Sequence, residues 1–106
     1  MLFRSGDPGR LPATVGLAVY RILQEALTNV LRHAPGAPTS ARLVVSERDA
    51  TLTVSSLGKP GTGTGHGVPG MRERAESIGG NCTAGPSGAG WLVRASFPLV
   101  AVREAS

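Results

Sequence analysis

The 106-residue sequence is poor in cysteine, aromatic residues and long apolar runs. Its single cysteine excludes an intrachain disulfide and a cysteine-built zinc site. One Trp, one Tyr and two Phe are too few for a platform that stacks nucleobases. No apolar run reaches the roughly 18 residues of a membrane span, and the N-terminus lacks a secretory apolar core. We therefore expect a cytoplasmic location with no membrane contact by this segment, and a full-length protein could still carry an anchor elsewhere.

Basic residues outnumber acidic residues in the sequence. Eleven Lys and Arg against seven Asp and Glu give a formal net charge of +4, which favours anionic ligands such as phosphates. The arginines are spread along the chain rather than grouped in one tract. Because aromatic platforms are lacking as well, we do not expect nucleic acid as a partner.

The length fits a single domain over residues 1–106. Fifteen Gly and eight Pro fall mainly between the periodic segments, as in a chain with tight loops around one core. We expect residues 1–10 to form a strand and turn, and residues 101–106 to form a tail.

The strongest helix pattern covers residues 13–33. Apolar residues recur there at spacings of three and four, at Val15, Val19, Ile22, Ala26 and Val30. Four further residues widen this stripe, so that burial over more than half of the circumference is predicted: Tyr20, Leu23, Leu27 and Leu31. Pro35 and Gly36 end the helix.

Alternating and β-branched residues predict strands at 41–47 and 51–56, joined by a turn at 48–50. A Gly- and Thr-rich loop at 58–67 precedes a second helix at 69–78. A closing hairpin follows, with strands at 81–85 and 91–100 around a loop at 86–90. This order predicts an α+β sandwich with two helices on one face of a mostly antiparallel sheet.

The first helix carries a polar stripe of Glu25, Asn29 and Arg32, with His33 at its side. Such a stripe is often only a solvated face. Alternatively, a carboxylate, an amide oxygen and two cationic groups could bind a hydrated Mg²⁺ and the phosphates that it bridges.

A second candidate site is the run from Gly65 to Gly70 before Met71. Its glycines allow close approach of a ligand, and a helix that begins here directs free N–H groups at an anion. The run has the spacing of a dinucleotide fingerprint, but no strand directly precedes it and no acidic residue follows at the required distance. A Walker A sequence is also absent from the chain.

Together, the two candidate sites resemble sensor histidine kinases. Residues 20–34, YRILQEALTNVLRHA, are similar to the N box of these kinases. Residues 65–74, GHGVPGMRER, followed by Gly79 and Gly80, are similar to the second glycine box, and residues 85–98 to the glycine turn and last strand. The resemblance is strongest to the nitrate-sensor and desaturase-sensor subgroup.

This resemblance implies a Bergerat-type two-layer sandwich that binds ATP and Mg²⁺ between the long helix and a lid at 58–67. Asn29 would be the Mg²⁺ ligand, Glu25 would position water near the γ-phosphate, and Arg32 and His33 would face the phosphates. The resemblance places the lid hinge and phosphate cradle at Gly65, Gly67, Val68 and Gly70. It adds further nucleotide-binding positions at Leu57, Gly58, His66 and Met71.

The first glycine box departs from the family pattern. The family carries an aspartate there that accepts a hydrogen bond from the adenine amino group, and Leu57 stands at its expected place. A lost hydrogen bond to a charged group costs about 1.5–3 kcal/mol. Ser55 or Ser56 could recover part of this directly or through water. Weak binding, another way of reading adenine, and a degenerate domain all remain open.

The resemblance implies a catalytic domain that transfers the ATP γ-phosphoryl group in trans to a histidine on a separate dimerisation domain, and through it to a response regulator. Neither His33 nor His66 suits the phosphoacceptor role, and we expect a monomer in isolation. The main alternative is a degenerate interaction module of the same fold without turnover. An anti-sigma serine kinase of the same superfamily is a further alternative.

Overall fold

In a computed structural model, the chain folds into one five-stranded sheet and two helices. The structure describes residues 2–5, 11–57 and 68–99. The elements are listed in chain order: β1 (Leu2–Ser5), α1 (Ala13–His33), β2 (Thr39–Val45), β3 (Asp49–Leu57), α2 (Val68–Glu76), β4 (Asn81–Ser87) and β5 (Gly90–Pro98). The predicted order of strands and helices is confirmed.

The strand order across the sheet is β1-β2-β3-β5-β4. β1 pairs with β2 in parallel, and the other three pairings are antiparallel. Both helices pack against one face of the sheet and against each other. The predicted α+β sandwich, with two helices on one face of a mostly antiparallel sheet, is therefore confirmed.

Alternation along β3 separates the two faces of the sheet. Ala50, Leu52 and Val54 are buried on the helix side, whereas Thr51 and Thr53 are half-buried on the opposite side. The core also includes buried residues from both helices and the neighbouring strands, among them Ile22, Leu43, Met71, Val93 and Phe97. A single apolar layer between sheet and helices thus positions α1 and the end of β3.

The predicted burial of α1 is wrong in part. Tyr20, Leu27 and Leu31 are exposed, and Leu23 is half-buried. The physical reason is that the sheet covers α1 on one side only, so that the widened part of the apolar stripe lies beyond the core.

The turn between β2 and β3 lies two residues earlier than predicted. Ser46 Oγ accepts hydrogen bonds from the backbone N–H groups of Arg48 and Asp49, at 3.1 Å each. Its own backbone N–H donates to the Asp49 carbonyl oxygen at 2.8 Å. This side-chain-supported turn frees Asp49 and Ala50 to begin β3.

The closing hairpin is tighter than predicted. β4 continues through Pro86 to Ser87, and β5 begins at Gly90, so that Gly88 and Ala89 alone form the connection. Gly88 has a positive φ of 57°. Pro86 is tolerated within a strand because β4 is the last strand at its edge of the sheet.

Candidate functional site

The predicted polar stripe of α1 lies at the boundary between core and solvent. Asn29 is buried, with 8% of its surface exposed, while Glu25 and His33 are half-buried and Arg32 is exposed. Glu25 and Asn29 are four residues apart and therefore lie on the same helix face, one turn from each other. The structure thus holds a carboxylate and an amide oxygen on one rigid element.

The C-terminal end of α1 and the end of β3 lie at the same end of the fold. Residues 34–38 connect α1 to Thr39, and Thr39 is the cross-strand partner of Ser56. The Leu57 N–H donates a hydrogen bond of 3.0 Å to the Pro38 carbonyl oxygen, which fixes this connection to the end of β3. Six extended residues span at most about 20 Å, which limits the distance between the last residue of α1 and the end of β3.

Ser56 continues the inward alternation of β3 and is buried, with 7% of its surface exposed. Of the residues that the structure describes, Asn29 and Ser56 are the buried polar ones. Burial of a polar side chain is costly unless it gains a partner, so that these two positions stand out from the apolar layer around them.

Leu57 lies on the other face of the sheet and is 57% exposed. The expectation that Leu57 occupies the base-contacting position is therefore corrected. The side chains of a strand alternate between faces, so that the residue directed toward the α1 side is Ser56. The alternation of Leu52, Val54 and Ser56 in the sequence already contained this information.

Ser55 does not share the position of Ser56. It lies on the outer face of the sheet, where its Oγ is 3.1 Å from Oγ of Ser40 on β2. The choice between the two serines that the sequence left open is thereby reduced to Ser56.

A depression of about 230 Å³ lies where β2 begins and β3 ends. It is lined by Pro38, Thr39, Ser40, Ser55, Ser56 and Leu57. Because Ser40, Ser55 and Leu57 belong to the outer face of the sheet, this depression opens in part on the side away from Asn29.

Gly90, the first residue of β5, lies directly beside the end of β3. It is buried, and a Cβ atom at this position would collide with the backbone carbonyl group of Ser56. The backbones of β3 and β5 therefore approach each other closely beside Ser56. This role of Gly90 is not evident from the sequence, because a close backbone approach leaves no periodic pattern.

The second candidate site is only partly described. Gly58, Gly65, His66 and Gly67 lie outside the described residues, as does the predicted lid at 58–67. Val68 begins α2, and Gly70 is exposed in its first turn.

Met71 is fully buried in the core between α2 and the sheet. The structure assigns it a packing role, and its predicted contact with nucleotide is not supported by this position.

The donor set on α1 fits a hydrated Mg²⁺. Glu25 and Asn29 supply carboxylate and amide oxygens, and Mg²⁺ commonly keeps several waters while taking one or two protein ligands. Within residues 11–57 and 68–99, no group of three or more His, Cys, Asp and Glu side chains could hold a metal ion.

Cys82 is buried on the helix side of β4. Burial raises the pKa of its thiol, and the nearby positive charge of Arg72 opposes this shift.

Among the described residues, neither helix combines the length and apolar character needed to cross a bilayer.

Comparison with known proteins identifies relatives of the chain. It is 36% identical over 96 residues to the sensor histidine kinase YxjM of Bacillus subtilis (strain 168), an alignment covering 88% of this chain and 24% of the relative. It is also 36% identical over 95 residues to the nitrate/nitrite sensor protein NarQ of Escherichia coli (strain K12), covering 82% of this chain and 17% of the relative. The chain is related to the sensor histidine kinases.

Solved structures show the same fold. The histidine kinase domain of the blue-light activated kinase EL346 from Erythrobacter litoralis matches with a TM-score of 0.66 at 20% identity, covering 93% of this chain and 51% of that chain. The catalytic domain of histidine kinase ThkA matches with a TM-score of 0.67 at 11% identity, and the match covers 92% of this chain and 76% of that chain. No protein-family model matches the chain.

The relatives show that the chain belongs to the sensor histidine kinases, which confirms the resemblance drawn from the sequence, and the solved structures show that it shares their fold. The chain spans about a quarter of the length of YxjM and about a sixth of NarQ.

Proposed function

We propose that this chain is an ATP-binding catalytic domain that transfers the γ-phosphoryl group to a histidine on a separate dimerisation domain. The observation that carries the proposal is the burial of Asn29 one helical turn from Glu25 in a homologue of sensor histidine kinases. The amide and the carboxylate have the donor chemistry that Mg²⁺ and its waters require.

In this proposal, the side chains act mainly by placement and charge neutralisation, as is general for phosphoryl transfer. When bound, Mg²⁺ neutralises phosphate charge. Asn29 would hold the metal through its amide oxygen, and Glu25 would orient a water on the same helix face. Arg32 and His33, in the last turn of α1, attract the phosphates. By their lack of a side chain, the glycines at 65, 67 and 70 of the sequence would allow a close approach of backbone to the phosphates.

The base of the nucleotide would lie on the helix side of the sheet, beside Ser56. The serine hydroxyl can accept one hydrogen bond from an adenine amino group, directly or through water. A neutral acceptor binds more weakly than a carboxylate, so that we expect a lower affinity than an aspartate at this position would give.

The acceptor histidine would come from another domain. His33 is half-buried in the last turn of α1, so that its imidazole is less accessible to an incoming phosphoryl group than that of an exposed histidine. In the transfer, the bond between the γ-phosphorus and the bridging oxygen breaks, a phosphorus–nitrogen bond forms at the partner imidazole, and the imidazole proton leaves to solvent. A response regulator would then take the phosphoryl group.

Titration calorimetry with a non-hydrolysable ATP analogue, with and without Mg²⁺, tests the proposal. We expect micromolar binding that strengthens with Mg²⁺. Binding that does not change with Mg²⁺ would contradict the role of Asn29 and Glu25.

A second candidate function is an interaction module that keeps the fold without turnover. It is favoured by the end of β3, where Ser56 and Leu57 offer no carboxylate to a base. Absence of binding heat for the analogue, in a chain shown to be folded by circular dichroism, would support this module instead.

A further inference from the structure

α1 carries an apolar stripe that no described part of the fold covers. Leu17 and Tyr20 are each 57% exposed, Leu27 is 37% exposed and Leu31 is 71% exposed. Gln24, also exposed, lies between them. We call these five residues the seam. Because α1 is held against the sheet by its opposite side, the seam faces away from the described core.

The spacing of the seam is that of a helix-packing surface. Its residues follow one another at intervals of three, four, three and four, the alternation that coiled-coil positions show. At 100° per residue, they cover only about 80° of the helix circumference. This long and narrow surface matches the ridge of one further helix.

We propose that the seam docks an amphipathic helix of a partner, with an apolar ridge at the same spacing and acidic residues beside it. The charge follows from the surroundings of the seam. Arg21 is exposed next to Leu17 on the helix surface, no acidic residue occupies the first turn of α1, and the chain has a net charge of +4. An acidic flank would therefore be attracted and a basic flank repelled.

A second copy of this chain fits the seam less well. The exposed parts of its four apolar side chains amount to roughly 300 Å². A stable interface needs about 800 Å² from each partner. Two chains of charge +4 would also repel each other. A surface of this size suffices for a partner helix held nearby within a larger assembly, where the effective concentration is high.

A lipid surface is also less suitable. The seam is narrow, and the amide of Gln24 lies at its centre. In a helix pair, a polar residue among apolar ones fixes the register of the two helices, whereas in a membrane it would only oppose insertion.

The seam does not involve the candidate nucleotide site. Glu25 and Asn29 lie about 120° or more around α1 from its centre. Docking and nucleotide binding can therefore be measured separately, and failure of one does not imply failure of the other.

The test uses the folded chain and a 21-residue helical peptide with Leu at the seam spacing and Glu beside it. Binding is followed by anisotropy of a dye on the peptide. We expect the double variant Leu17→Glu/Leu31→Glu to weaken binding about tenfold or more. The matched control is Val44→Glu, an exposed apolar position on the outer face of the sheet, which should leave it unchanged.

Circular dichroism and melting curves establish that each variant is folded. We expect both variants to fold, because substitutions at exposed positions usually change stability little. Equal binding to the double variant and the control, equal binding of a Lys-flanked peptide, or no binding of either peptide would overturn the proposal. Self-association in sedimentation velocity that the double variant abolishes would assign the seam to a second copy instead. Flotation with phosphatidylglycerol vesicles that the double variant abolishes would assign it to a membrane.

Discussion

Ser56 and Leu57 are consecutive residues of β3, yet Ser56 is buried on the helix side and Leu57 is exposed on the outer face. Only the former lies on the side of the sheet that carries Asn29. A one-residue difference in assignment therefore decides whether the proposed nucleotide site presents a hydroxyl or a methyl group to the base.

Replacing Ser56 by Asp should strengthen nucleotide binding. A hydrogen bond to a charged acceptor contributes about 1.5–3 kcal/mol, equivalent to roughly ten- to a hundredfold in affinity. Without ligand, the buried carboxylate should lower stability by about 1–3 kcal/mol. Calorimetric titration and urea unfolding measure the two effects. Leu57→Asp is the matched control, and an equal gain in affinity for that variant would contradict the assignment of Ser56.

Replacing Asn29 by Ala should remove the dependence of nucleotide binding on Mg²⁺, because the amide oxygen proposed as the metal ligand is lost. The affinity measured without Mg²⁺ should change much less. Titrations of the ATP analogue with and without the metal check this. Gln24→Ala, at an exposed position of the same helix, should retain the full metal effect. A preserved Mg²⁺ effect in Asn29→Ala would show that the metal is held elsewhere.

Replacing Gly80 by Ala should destabilise the fold by about 1–3 kcal/mol. A Cβ atom there would collide with the carbonyl oxygen of Ser96 and lie 2.8 Å from Cδ1 of Phe97. Gly80 N–H also donates to the Ala75 carbonyl oxygen at 2.8 Å, which fixes its position after α2.

Thermal or urea unfolding measures the loss at Gly80. The control is Gly85→Ala, where the added methyl group meets no atom within 4 Å and the change should stay within about 0.5 kcal/mol. Similar losses in both variants would rule out a steric cause specific to Gly80.

The thiol of Cys82 should react slowly in the folded chain. Burial raises its pKa, so that the reactive thiolate is scarcer than for a free cysteine. A folded pKa above the unfolded one also means that stability is retained below about pH 8.5 and is lost as the pH rises further. Labelling rates with and without urea, and unfolding at pH 8 and 10, test this. Cys82→Ala should lack this part of the alkaline loss.

The sequence predicted α1 well, since its apolar spacing and the residues Pro35 and Gly36 depend on local chemistry alone. It overestimated the burial of Tyr20, Leu27 and Leu31, because periodicity reveals an apolar side but not whether another element covers it. The position of the turn before β3 was missed for a different reason. It depends on hydrogen bonds to the Ser46 side chain, which spacing does not encode.

The candidate site divides in the same way. Glu25 and Asn29 could be paired from helical spacing, and the alternation of Leu52, Val54 and Ser56 already placed Ser56 on the apolar face of β3. The close approach of Gly90 to Ser56 joins residues that are distant in the sequence, and only the strand register shows it.

Pro86 protects the β4 edge of the sheet against pairing with a further strand. Its ring stands where an amide donor would otherwise be offered to an incoming strand. Another polypeptide that tried to extend the sheet here would lose a ladder hydrogen bond and meet the pyrrolidine carbons. Addition of a strand from another copy of the chain is therefore disfavoured at the β4 edge, which hinders one route to aggregation.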